Sequence, residues 1–142
     1  MSDFSVFMAG NVLADEIVKY VASKRFKDKD GKPVEWELKA VGSDLDEALR
    51  KECTKKVPIV GKRGQYTQET DTDKYIGKLC AATTVYPNLN ATELQNSYGV
   101  KSADELLKKM LLPGEYIEYK GKVMEVNGYD MSMDDLVDEA KN

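Results

Sequence analysis

Residues 18–40 read VKYVASKRFKDKDGKPVEWELKA, and their pattern decides what kind of fold the chain builds. Val34, Trp36, Leu38 and Ala40 alternate with Glu35, Glu37 and Lys39. A period of two places Trp36 on the buried face of a strand. Upstream, Val18 to Phe26 supplies a partner strand. Between them lies Asp28-Lys29-Asp30-Gly31, in which Asp-Gly accepts the positive φ angles of a tight turn. The stretch therefore predicts a β-hairpin. Two strands alone are marginal in water, so the hairpin must pack on helices or find further strands, from this chain or from a partner.

The rest of the chain has helical periodicity. Ser43 is the expected cap of a helix that places Leu45, Ala48, Leu49 and Cys53 on one face, with Lys55 and Lys56 complementing its carboxyl end and Pro58 as the stop. From Val57 to Thr70, Gly61 and Gly64 predict a loop or a second, irregular hairpin. A helix from Asp71 or Asp73 carries Tyr75, Ile76, Leu79, Cys80 and Thr83 on one face and ends at Pro87. Asn90 with Glu93 forms a capping-box pair flanked by a Leu89–Leu94 staple, and Gly99 closes that helix. Ser102 with Glu105 caps the next, ahead of Leu106, Leu107 and Met110. Pro113 suits the first turn of another, whose expected face is Tyr116, Ile117, Lys120, Val123 and Met124 and whose end is Gly128. Ser132 is the expected cap of a last short helix.

These elements predict an α+β fold: a helix-rich single domain with an N-terminal β-hairpin packed on several short helices. Its expected divisions are an N-terminal arm over 1–16, the hairpin over 17–42, a helical body over 43–128 and an acidic C-terminal helix over 129–142. At 142 residues, 42% hydrophobic and 32% charged, the chain has the size and balance of one globular domain.

Several function classes are disfavoured by what the sequence lacks. It contains no histidine, the commonest general base and zinc ligand, so Ser-His-Asp, Cys-His and most catalytic zinc arrangements are out of reach. Its acidic residues single out no carboxylate pair. Cys53 and Cys80 are its two cysteines, and both read as reduced core residues; Cys53 also sits near a helix carboxyl end, where the dipole opposes a thiolate. Gly61-Lys62-Arg63-Gly64 lacks the spacing and the Lys-Ser/Thr ending of a phosphate-binding loop, so it reads as a turn with solvated cations. Lys24, Arg25, Lys27 and Lys29 are interleaved with Asp28 and Asp30, which argues against a nucleic-acid contact. No apolar run reaches the roughly 18 residues that span a bilayer, and Asp3, Asp15 and Glu16 occupy the place of a basic leader, so no membrane role and a cytoplasmic location are expected. No catalytic residue, metal or cofactor is expected either.

What remains is contact chemistry. Tyr86, Tyr98, Tyr116, Tyr119 and Tyr129 accompany Met110, Met124, Met131 and Met133 in the second half of the chain. Tyrosine offers amphipathic area and methionine repacks easily, so both suit a protein-binding surface. Met110, Tyr116 and Met124 fit core stripes. Tyr119, Tyr129, Met131 and Met133 fit them less well and are the partner-binding candidates. The open hairpin edge predicts self-association.

Seven stretches then come into register: Ala9-Gly10-Asn11-Val12, YVASKRF at 20–26, GKPVEWELKA at 31–40, VYPNLNATELQNSYGV at 85–100, LPGEY at 112–116, VNGY at 126–129 and DEAKN at 138–142. In order and spacing the chain resembles the XkdN-like tail assembly chaperones of phages and prophages of Gram-positive bacteria. The likeness spans nearly the whole sequence. It implies a non-enzymatic protein that binds the tape measure protein in the host cytoplasm, keeps it soluble, and leaves as tail tube subunits polymerise around it. Tail tube protein is the second implied partner. The competing expectation is a tail completion or tube-associated subunit retained in the virion. One departure is Asn90-Ala91, where the family pattern carries Asn-Asp; with Asn90 as the cap, this exchange is harmless.

Overall fold

β2 (Trp36–Leu38) is the strand around which the sheet is organised. In the computed structural model, which describes residues 4–11 and 16–129, Trp36 and Leu38 are buried and Glu37 between them is not, as the alternation requires. β1 (Val18–Tyr20) pairs with it antiparallel, Val18 opposite Leu38 and Tyr20 opposite Trp36. Beyond Tyr20 the arms part and rejoin at a Lys27–Pro33 bridge. The turn is tied by Asp28, whose carboxylate accepts from the N–H groups of Asp30 (2.9 Å) and Lys32 (3.0 Å), and Gly31 takes φ +78°.

A third strand supports the hairpin, and it comes from the same chain. β5 (Thr84–Tyr86) pairs antiparallel with β2, giving the order β1-β2-β5. The helix expected to run to Pro87 stops at Thr83 instead. Thr83, Thr84, Val85 and Tyr86 are β-branched or aromatic, and β2 offers them an open edge.

α1 (Ser43–Glu52) leads into a two-stranded ribbon, β3 (Thr54–Pro58) and β4 (Tyr66–Thr70), in unbroken register from Thr54–Thr70 to Pro58–Tyr66. Of the two conformations expected for the Gly61–Gly64 region, the hairpin is the one formed, with φ +81° and +77° at the two glycines. The strand begins earlier than expected. Lys55 and Lys56 lie in it and do not cap a helix end, and Ser43 is the first residue of α1, whose N-cap position is Gly42. Residues 43–128 are thus not a purely helical body.

α2 (Thr72–Thr83) is the central helix. The Asp71 carboxylate caps it through the Lys74 N–H, and its predicted face of Tyr75, Ile76, Leu79, Cys80 and Thr83 is buried throughout. It packs against α1, α4 (Ala103–Met110) and α5 (Pro113–Val126). α3 (Thr92–Tyr98) joins α4 at Gly99, in the left-handed conformation expected of it. Ser102 caps α4 through the Glu105 N–H, and Pro113 opens α5.

Two cap details differ from expectation. The N-cap of α3 is Ala91 and not Asn90, and no side chain caps it. The departure from the family pattern at Ala91 therefore falls on the capping position itself. On α5 the deeply buried positions are Tyr119, Val123 and Met124, so Tyr119 belongs to the core stripe and the half-buried Lys120 lies beside it, its ammonium over the Tyr116 ring.

Candidate partner-binding surface

Of the four residues singled out for contact, Tyr119 and Tyr129 are among the described residues, and they fall in different places. Tyr119 is 0% exposed. Its ring meets Trp36 edge-on at 5.5 Å and lies 6.0 Å from Tyr20, and its hydroxyl bonds Thr84 Oγ1. Thr84 already donates its single hydroxyl proton to the Cys80 carbonyl at 2.8 Å, so Tyr119 is the donor between the two. Burial pushes the phenol well above its ordinary range. The surface position expected for Tyr119 is therefore corrected: it locks α5 to the sheet and presents nothing to a partner. Met131 and Met133 lie outside the described residues.

Tyr129 is exposed, just past the end of α5. Its N–H donates to the Met124 carbonyl (2.9 Å), a helix-closing bond allowed by φ +86° at Gly128. Its hydroxyl lies 3.3 Å from the Arg50 guanidinium. Arg50 in turn pairs with Asp46 at 3.2 Å and stacks 4.2 Å above the Tyr75 ring, while the Tyr75 hydroxyl donates to Asp46. This cluster fixes the end of α5 against α1 and borders a shallow cleft between Val41, Ser43, Leu79 and Asn127. Such an arrangement offers aromatic, cationic and carboxylate groups for contact with a polypeptide.

Other exposed apolar groups escaped the sequence reading. Val60 and Tyr66 stand 98% and 62% exposed at the ribbon tip, and Val85 lies on β5 beside Tyr86, which the sequence had already offered as contact chemistry. The apolar Ile59-Val60 pair beside a glycine turn was a usable signal for the first. At the other end, Phe4, Val6, Phe7 and Met8 are all exposed, in and beside the short 3-10 turn Ser5–Phe7, which a second such turn, Ala9–Asn11, follows.

Neither thiol is poised for chemistry. Both cysteines are free and buried. Burial pushes Cys80 up to about 12 and raises Cys53 above its ordinary value. Among the described residues no three His, Cys, Asp or Glu side chains gather as metal ligands, and no helix is long and apolar enough to cross a membrane.

The phage XkdN-like tail assembly chaperone family matches residues 4–141. The chain belongs to that family. It is 37% identical to protein YqbN of Bacillus subtilis strain 168 over 141 residues, covering 99% of this chain and 93% of that one. To protein XkdN of the phage-like element PBSX of the same strain it is 32% identical over 141 residues, covering 99% and 94%. The crystal structure of YqbN superimposes with a TM-score of 0.78 at 33% identity, covering 92% of this chain and 99% of the other. The hairpin and the helices described above are thus those of a member of the tail assembly chaperone family.

Proposed function

We propose that this chaperone binds the tape measure protein in the host cytoplasm, keeps it soluble, and supports assembly of the tail tube around it. The observation that carries the reading is family membership across residues 4–141. A protein of that kind acts by contact, without catalysis, and the physical character of the chain suits the task. Its thiols are masked, and exposed apolar and aromatic groups are distributed over the N-terminal turns, the ribbon tip and the end of α5. Tyr129, with Met131 and Met133 beyond it, forms the contact point for the tape measure protein. Tail tube protein is the second partner, and the outer edges of β1 and β5 provide for self-association.

Co-expression with the tape measure protein of the same phage or prophage tests the reading. Soluble yield of the tape measure protein should depend on this chain, and the two should co-purify. Equal solubility without it, and no co-purification, would overturn the proposal.

A further inference from the structure

The β3–β4 ribbon leaves one long strand edge open. β4 is exposed at all five positions, and among the described residues it pairs with no strand but β3. The ladder bonds fix which backbone groups face outward. The Asp71 N–H donates to the Cys53 carbonyl at 2.8 Å and the Ile59 N–H to the Gln65 carbonyl at 3.1 Å, in the same register as the strand pairs between them. Backbone groups alternate in direction along an antiparallel strand. Thr67 and Glu69 therefore bond to β3, while Tyr66, Gln68 and Thr70 turn their N–H and C=O groups away from it.

The other edges are guarded or short. On β3 the outward residues are Thr54, Lys56 and Pro58; proline has no N–H to give, and an edge lysine resists pairing. β1 and β5 have three residues each, and Pro87 follows β5. β4 reads Tyr66-Thr67-Gln68-Glu69-Thr70, with no lysine, no proline and no break in register.

We propose that β4 pairs antiparallel with β4 of a second copy across a two-fold axis at Gln68, joining two ribbons into one four-stranded sheet. This dimer rests on the self-association already proposed for the chain, and β4 is the edge that carries it. A centre at Gln68 matches the outward phase: Gln68 meets the partner's Gln68, and Tyr66 meets the partner's Thr70 on either side of the axis. Each facing pair exchanges two backbone hydrogen bonds. Tyrosine against threonine is a favourable cross-strand pair. Glu69 falls opposite the partner's Thr67 and keeps Lys55 as its neighbour within the ribbon, so no like charges are set face to face.

Charge selects a second copy as the occupant. The ribbon tip carries Lys62 and Arg63 and its root carries Asp71 and Asp73, all four exposed and, among the described residues, none in an ion pair. In the proposed register Gln65 lies opposite the partner's Asp71, which lays each basic tip beside the other copy's acidic root. The two-fold axis repeats that complementarity at both ends of the interface. A ribbon standing alone is marginal, and pairing gives it the strands it lacks. Five residues a side make a small interface, so the dimer is reversible.

Light scattering and sedimentation of the full chain test this. The mass should rise from monomer toward dimer as the concentration approaches roughly 100 µM, a range in which small interfaces associate. Gln68→Pro removes one outward N–H and no bond to β3, and should leave the chain folded but monomeric there. Lys62→Glu with Arg63→Glu should weaken association at least about fivefold. Single cysteines under mild oxidation read the register, since Cys53 and Cys80 are buried. Gln68→Cys sits on the axis, about 5.5 Å from its copy, and should form disulfide dimer at least about fivefold more than Thr67→Cys or Glu69→Cys, whose copies stand about 8 Å apart. Equal cross-linking at the three positions, or a tip reversal without effect, would overturn the proposal even if Gln68→Pro failed to fold. A folded Gln68→Pro that dimerises like the parent would overturn it and leave self-association through β1 or β5 standing. A monomer at every concentration would overturn both.

Discussion

Asn127 donates to Thr83 at 3.0 Å, joining the last turn of α5 to the last residue of α2 in the interior of the domain. The same side chain accepts from the Val41 N–H at 2.9 Å and donates to the Val123 carbonyl at 2.9 Å. Thr83 is 0% exposed, and its own carbonyl accepts from the Lys39 N–H at 2.9 Å. One amide thus fastens both helix ends to the strand leaving the hairpin, and through Gly128 it sets where Tyr129 emerges.

Asn127→Ala should destabilise the fold by about 2 kcal/mol, because it strands the Val41 N–H and the Thr83 hydroxyl rather than merely deleting bonds. Urea denaturation should show a lowered midpoint with an unchanged slope. An unaltered midpoint would mean that water replaces the amide at no cost.

Tyr119 and Tyr129 should separate cleanly. Tyr119→Ala should cost about 3–5 kcal/mol through the cavity it leaves against Trp36, and Tyr119→Phe about 1 kcal/mol through the lost bond to Thr84. Tyr129→Ala, at an exposed position, should leave the thermal midpoint within a few degrees of the parent. Calorimetry on the three variants checks this ordering.

How legible each element was in the sequence depends on how local its signal is. The hairpin was readable because Trp36 and Leu38 alternate with charges and Asp28 ties its own turn. The α2 face was readable because Asp71 caps it and its stripe is uninterrupted. β5 was not, because Thr84 to Tyr86 continue an apolar helical pattern; their pairing with β2 exists only once the chain has closed on itself. Tyr119 lies three residues after Tyr116 and four before Val123, so helical spacing permitted it in the core. Two overlapping stripes fit α5, and choosing between them required knowing where Trp36 would sit. The Arg25 contact with the Met110 carbonyl was invisible for the same reason, since 85 residues separate the two. The acidic and methionine-bearing end was legible as composition, and composition alone does not place it.

Glu115 predicts a stability change with pH. Its carboxylate is held below the ordinary glutamate range by the Leu112 N–H first, then by Ser23, with the Arg25 guanidinium also lowering it against desolvation. A depressed folded-state value means the stabilisation is complete above the unfolded value, about 4.3, and is lost as pH falls through the lower folded one. Glu115→Gln should therefore flatten the acid side of the stability profile below about pH 4 while changing its shape little near neutrality. Denaturation midpoints of both proteins across that range check the sign.

Contact with the tape measure protein should weaken when Tyr129, Met131 and Met133 are replaced together by alanine. A combined loss of about 2–3 kcal/mol corresponds to roughly 30-fold to 150-fold in Kd. Titration calorimetry with the tape measure protein reads it, alongside a melting curve to confirm folding. Unchanged affinity would move the contact to Phe4 and Phe7 or to the ribbon tip.

The last prediction concerns a stabilising change. Ala91 has φ −66° and ψ 120°, the extended geometry of an N-cap, yet its methyl group accepts nothing. The first turn of α3 therefore lacks the side-chain acceptor that Asp71 gives α2 and Ser102 gives α4. Ala91→Asp supplies an oxygen for those N–H groups and a negative charge at the positive end of the helix. It should stabilise the protein by about 1 kcal/mol, with a smaller gain at high salt for the charge component. Ala91→Ser should retain the hydrogen-bond share and lose the salt dependence. Equal denaturation midpoints for all three proteins would indicate that α3 frays at its start and that its first turn contributes nothing to the fold.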